Sequence, residues 1–175
     1  DRRTAFDVNR EFDEMGARYN AFTSEENTVY YAAVLPEFQD AATDLLSDML
    51  RPSLRQEDFD TEKNVILEEI ALYDDLPPFR VHERAMAEFF AGHPLGNSIL
   101  GTTDSIRELK LEDMKAYFAR RYAPGNVTVT AVGNMDFDRL CDGIARGCSH
   151  WQPLQAHRER RPADGAEHDY YNREP

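Results

Sequence analysis

Apolar residues recur along this chain with two different periods, and the alternation between those periods sketches its elements. In "TAFDVNREFDEM" they fall at 5, 8, 12 and 15, the three-to-four spacing of one helix face, and Gly16 supplies the stop. "ARYNAF" and "NTVYYAAVL" are instead dense in aromatic and β-branched residues on either side of polar "TSEE", which predicts two strands of an antiparallel hairpin. Pro36 opens a helix with apolar positions at 38, 41, 42, 45, 46 and 49. After the loop "RPSLRQED" a long helix runs from about Asp58 to Tyr73, "DDLPP" breaks it, and a further helix covers roughly 79 to 90. "AGHPLGNSILGTTDS" reads as a Gly/Pro-rich loop leading into a short capped helix. "KLEDMKAYFARRYA" is a helix stopped by "PG", "NVTVTAVG" a strand, and "DFDRLCDGIARGC" a last helix. Past Trp151 the periodicity disappears and Arg and Pro become frequent, so residues 152–175 read as a linker or the start of a next segment, and residues 1–151 as the domain.

Helix, hairpin, helices, strand and helix in that order are not a regular βαβ alternation. The expectation is an α+β fold: a two-layer domain with an antiparallel-rich mixed sheet packed on helices. Three strands make a thin sheet, so further strands are expected outside these residues.

Within the long helix the pattern holds an anomaly. Glu62 and Glu69 are two turns apart and only about 20° apart around the axis. Phe59, Val65, Ile66, Ile70 and Tyr73 flank that line within about 80° of Glu62, so the wheel aims both carboxylates at the interior. Glu68 points well away. A buried carboxylate is costly unless it is paired, hydrogen-bonded or bound to a metal. Ion pairs with Arg or Lys would satisfy the two residues, and so would a metal site.

Composition narrows the partners. The chain has 175 residues and a net charge of -13, which argues against nucleic acid and favours basic or polar peptides. No apolar stretch approaches the roughly 20 residues of a membrane span, and the charged start "DRRTAFDVNR" is no signal peptide, so the protein reads as soluble. The chain opens on Asp rather than Met, and residues preceding it are expected. Cys141 and Cys148 lie two helical turns, about 10 Å, apart and read as ordinary thiols. His82 in "VHERA" has no second His at helical metal spacing, and His93, His150, His157 and His168 are scattered. The hairpin is the second candidate region: a first strand at a sheet edge could pair with an extended peptide, with Tyr19 or Phe22 beside it.

"GARYNAFTSEENTVYYAAVL", "DFDTEKNVILEEIALYDDLPP" and "GHPLGNSILGTTDSIRELKLEDMKAYFARRYAPGNVTVTAVGNMD", taken together and in this order, resemble the N-terminal catalytic domain of the inverzincin metallopeptidases, the family of pitrilysin, insulin-degrading enzyme and mitochondrial processing peptidase. The likeness covers roughly residues 4 to 140. It implies a pitrilysin-like domain and a zinc-dependent endopeptidase acting on extended or unfolded polypeptides, with a second homologous domain or subunit as partner. It implies Glu69 as a zinc ligand and Glu62 as its supporting carboxylate. Asn20 and Ala21 would contact peptide backbone, and Phe22 would help form the pocket beside the scissile bond. The family's HxxEH segment, which carries two His ligands and the general-base Glu, is absent from the sequence and would fall a few residues before Asp1. A non-catalytic partner subunit and a metal-free acidic structural domain are the alternatives.

Overall fold

The computed structural model describes residues 2–151, and these form two compact units. Residues 2–55 and 111–151 make the first, and residues 56–110 the second.

In the first unit, α1 (Ala5–Glu14) starts at Thr4, whose side chain accepts a hydrogen bond from the Asp7 amide while Asp7 reaches back to the Thr4 amide. Gly16, at φ 61°, turns the chain out of α1 into β1 (Arg18–Thr23), which pairs antiparallel with β2 (Thr28–Ala33). α2 (Gln39–Met49) follows a 3-10 turn begun by Pro36. Phe12, Met15, Ala42 and Leu45 are the buried centre, with Tyr19 and Ala32 of the hairpin packed against it. Phe12 is fully buried and stacks on Tyr19 at 4.1 Å between ring centres, which couples α1 to β1. The hairpin thus lies over a helical layer, and the α+β expectation is met.

Later in the same unit come α6 (Leu111–Arg121) and α7 (Phe137–Cys148). α7 runs in the same direction as α2. The Gln39 side chain donates to the Asp136 carbonyl and accepts from the Asp136 amide, both at 2.9 Å, which pins the two helix starts together. Further along, Gly143 and Gly147 let the backbones approach Thr43 and Ser47: a Cβ on Gly147 would stand 2.8 Å from Ser47 Cβ. Tyr122 just past α6 shares a hydroxyl–hydroxyl bond of 3.3 Å with Tyr30, whose phenol is pushed up by burial and by that bond. Arg51 lies 4.3 Å over the ring of buried Trp151.

The strand expected at "NVTVTAVG" is not one here. Val127 is extended, at φ -113° and ψ 131°, but residues 127–132 join no ladder among the described residues. The described sheet has two strands, both antiparallel, rather than a mixed set of three. A strand exists only through a neighbour's backbone bonds, and alternation by itself supplies none. Val129 and Val132 are 54% and 95% exposed, and Val129, Ala131 and Met135 face Phe137, Leu140 and Ile144 of α7 across an open apolar depression of about 370 Å³.

The start of the unit is held by charge. The Arg3 guanidinium donates to Glu11 at 2.8 and 2.9 Å, to Asp44 at 2.8 Å and to Asp48 at 3.1 Å, while Arg2 also reaches Asp44 and Asp48. Burial raises the Asp44 carboxyl, but the hydrogen bonds from Arg3 and Arg2 outweigh it and hold the group below the ordinary carboxylate value. A carboxyl with a depressed folded-state value stabilises the fold above its unfolded value, about 4, and loses that contribution as pH falls through the folded one. Thermal unfolding followed by circular dichroism should show a melting temperature level from about pH 7 to 5 and falling below about 4. Arg3→Ala should lower it already at pH 7, by roughly 2 kcal/mol of stability, and shrink its acid dependence, because three carboxylates then lose their shared cation.

In the second unit α3 (Gln56–Asp74), α4 (Pro77–Phe89) and α5 (Thr103–Glu108) pack together. Tyr73 stacks on Phe79 across the "DDLPP" break, at 4.2 Å. Lys63 donates to the carbonyls of Arg107 and Leu109 at 2.8 and 3.0 Å, closing the C-terminal end of α5. No helix among the described residues is long and apolar enough to cross a membrane.

Candidate functional site

The inner stripe of α3 is Phe59, Lys63, Ile66, Leu67, Ile70 and Tyr73, with Phe59 buried and the others half-buried. That stripe lies to one side of the line through Glu62 and Glu69. Glu62 is exposed and Glu69 half-buried, so the expectation that both carboxylates point inward is corrected: they share a side of the helix, at the margin of its packed face. The cause is which flank α4 and α5 cover. Val65, expected on the inner face, is 49% exposed, and Leu72 is 60% exposed on the same flank as the two glutamates.

Among the described residues neither the Glu62 nor the Glu69 side chain makes a hydrogen bond or ion pair, unlike the acidic cluster around Arg3. The salt-bridge explanation for the two residues therefore finds no partner among the described residues. A half-buried carboxylate with both oxygens free suits a hard or borderline cation as one ligand. The described residues contain no group of three or more His, Cys, Asp or Glu that could hold a metal ion by themselves. His82 on α4 is exposed, and His93 accepts a hydrogen bond at Nδ1 from the Leu95 amide, so it serves its own turn. Cys141 and Cys148 are free thiols, and burial pushes the Cys148 thiol up. His157 and His168 lie outside the described residues.

The hairpin, in the other unit, has a phase that can be read from one bond. The Ser24 amide donates to the Asn27 carbonyl at 2.8 Å, so Ser24 and Asn27 are a hydrogen-bonded pair. Hydrogen-bonded pairs alternate along an antiparallel ladder. Phe22 with Val29, Asn20 with Tyr31 and Arg18 with Ala33 are then the bonded pairs, while Tyr19, Ala21 and Thr23 turn their N–H and C=O groups away from β2. No other strand covers that edge among the described residues. At its centre the Ala21 amide donates at 2.8 Å to the side-chain carbonyl of Asn20. Asn20 therefore spends its backbone on β2 and offers the edge only its carboxamide, whereas Ala21 offers backbone. Phe22, 55% exposed, projects from the face opposite Phe12 and Tyr19.

Comparison with known proteins settles the ancestry. The profile of Insulinase (Peptidase family M16) matches residues 1–103, which include the hairpin and all of α3. The chain belongs to the M16 peptidase family. A second M16 profile, described as the Peptidase M16 inactive domain, matches residues 108–174. Among curated M16 relatives, a protein of Mycobacterium leprae is 36% identical over 139 residues and one of Bacillus subtilis 34% over 150; both are described as uncharacterized zinc proteases. The matched regions cover 79% and 85% of this chain but 31% and 36% of those proteins, so the chain spans about a third of their length. Among solved structures, a protease from Helicobacter pylori aligns over 95% of this chain and 41% of its own, with a TM-score of 0.85 at 20% identity. An M16-like peptidase from Alicyclobacillus acidocaldarius covers 87% of this chain and 36% of its own, with a TM-score of 0.79 at 25% identity. These likenesses place the fold among M16 peptidases.

Proposed function

We propose that this chain forms part of a zinc-dependent endopeptidase, in which it binds an extended peptide along β1 and contributes Glu69 as one metal ligand. The observation that carries the reading is the half-buried carboxylate of Glu69, without a partner among the described residues, on a flank of α3 that also exposes Val65 and Leu72. An apolar flank around an unsatisfied carboxylate suits a surface that another segment covers, and that segment would bring the remaining ligands. Glu62, two turns earlier on the same side, orients a partner of the site from behind. When bound, zinc would supply an acidified water and a polarised scissile carbonyl.

The chain's own part is positioning. A peptide laid against β1 places a carbonyl at the Ala21 amide, displacing the Asn20 side chain that now accepts there. Asn20 is thereby released toward the peptide, and Phe22 forms the floor for a neighbouring side chain. Strand addition needs a free backbone, so unfolded or extended polypeptides are the substrate class. A partner homologous domain or subunit would complete the enclosure.

A non-catalytic role as a peptide-binding partner subunit is the second reading. It is favoured by the match of residues 108–174 to a profile described as inactive. Both glutamates, however, fall in the stretch matching the insulinase profile.

The peptide arm has a selective test in Ala21→Pro. Proline removes an N–H that points away from β2, at a sheet edge where proline and its fixed φ are tolerated. Binding of an extended peptide, followed by fluorescence anisotropy, should weaken about tenfold for the one lost bond, while the circular dichroism spectrum is unchanged. Undiminished binding would place the peptide elsewhere.

A further inference from the structure

Arg51 is a half-buried cation that no carboxylate answers among the described residues. In the same unit Arg2, Arg3, Arg10 and Arg139 each hold an Asp or Glu side chain. The Nε of Arg51 is buried without an acceptor. Its guanidinium carbon stands 4.3 Å from the ring centre of Trp151 and 5.9 Å from that of Phe118 on α6. Trp151 is only 6% exposed, and its indole N–H likewise finds no acceptor. A guanidinium packed against a ring gives up its faces and keeps its in-plane N–H groups for a forked acceptor. Buried donors left unmade are costly, and native folds rarely keep two of them together.

The surroundings narrow what the acceptor is. Arg51 follows the end of α2, with its amide on the Asp48 carbonyl at 3.0 Å. Trp151 follows the end of α7, with its amide on the Cys148 carbonyl at 3.0 Å. Helix C-terminal ends carry partial negative charge, which favours the cation and weighs against a multiply charged anion such as phosphate. Cys148 senses the Arg51 charge, but burial outweighs it and pushes the thiol up, so the sulfur stays neutral and is not the missing anion. A singly charged, planar group with two acceptor oxygens fits both the fork and the charge balance.

We infer that Arg51 and Trp151 form a carboxylate-binding site that involves neither the hairpin nor α3. The guanidinium fork takes the two oxygens, and the indole N–H adds a bond to one of them. The carboxylate comes from an Asp or Glu side chain of the whole protein or from a free small carboxylate, and one experiment separates the two.

That experiment is the melting temperature of the whole protein at pH 7, in sodium chloride, acetate or phosphate of equal ionic strength. Arg51→Met keeps an apolar stem against Trp151 and removes the fork. If an acidic side chain is the ligand, Arg51→Met should melt about 10 °C lower, because a buried carboxylate is left alone. The deficit should shrink at pH 5, where the orphaned carboxyl, raised by burial, takes up a proton. Acetate should then have no effect. If a free carboxylate is the ligand, acetate should raise the wild-type melting temperature by about 3 °C over chloride, and phosphate should not. Arg51→Met should lose that rise. Trp151→Phe keeps a ring against the guanidinium without the N–H, so it should lose part of the acetate rise or fall between wild type and Arg51→Met. A shift of about 2 °C or less in Arg51→Met at both pH values, with no response to acetate, is what stacking alone gives and overturns the site. A deficit that does not shrink at pH 5 reports lost packing and overturns it too. So does an equal rise in acetate and phosphate, which marks non-specific ion binding.

Discussion

Replacing Glu69 by Gln in the whole protein should cut zinc content from about one atom per chain to near none after dialysis, and peptide hydrolysis with it. Gln keeps the size and shape of the side chain and removes the negative charge that a cation at this point would need. Mutating groups that merely support metal ligands costs 10 to 100-fold, so losing a ligand should lower activity by on the order of a thousandfold. Because the Glu69 side chain makes no ion pair or hydrogen bond among the described residues, the change should leave folding intact. An unchanged melting temperature of the metal-free protein, beside lost zinc measured by atomic absorption, separates a ligand from a structural residue. Glu62→Gln should be milder, weakening metal retention about 10 to 100-fold while leaving the ligand set whole. If both variants keep full zinc and full activity, α3 is not the metal-bearing helix. If the unaltered polypeptide carries no zinc, the partner-subunit reading takes its place, and peptide binding should persist without cleavage.

The largest stability effect is expected at Phe12. Its ring is completely buried among Met15, Ala42 and Leu45 and stacked on Tyr19. Phe12→Ala should cost about 4 kcal/mol, from lost transfer energy and from the cavity left behind. Measured by urea denaturation, that is a large share of the 5 to 15 kcal/mol by which domains are usually stable. Tyr19 is one residue from Asn20 and two from Ala21, so the same change should also loosen β1 as a docking edge. Phe12→Leu, which keeps most of the volume, should cost clearly less and preserve peptide affinity. Equal peptide affinity in Phe12→Ala, under conditions where it remains folded, would show that the edge does not depend on this stack.

The helices were legible in the sequence because each carries its own apolar period and its own stop. α1 ends before Gly16, α3 ends before "DLPP", and the predicted bounds of α3 and α4 fall within about two residues of Gln56–Asp74 and Pro77–Phe89. The hairpin was legible from two aromatic, β-branched runs around a polar turn. The common side of Glu62 and Glu69 was also legible, since it follows from helical pitch alone.

What periodicity could not supply was the direction of that side. Only the packing of α4 and α5 against α3 determines that Lys63, Ile66 and Ile70 turn inward and that Val65, Glu62 and Leu72 stay open. The same holds for residues 127–132. Their alternation predicts a strand, but a strand is a relation between two backbones, and none of the described residues supplies the second. The hairpin shows the division most plainly. Residue types alone could nominate Asn20, Ala21 and Phe22 and could not separate Tyr30 from Tyr31. Register, fixed by one bond between Ser24 and Asn27, decided that Ala21 presents its backbone to the open edge, that Asn20 presents only its carboxamide, and that Tyr31 stands outside. Local chemistry set which elements form; long-range hydrogen bonds and packing set what each of them faces.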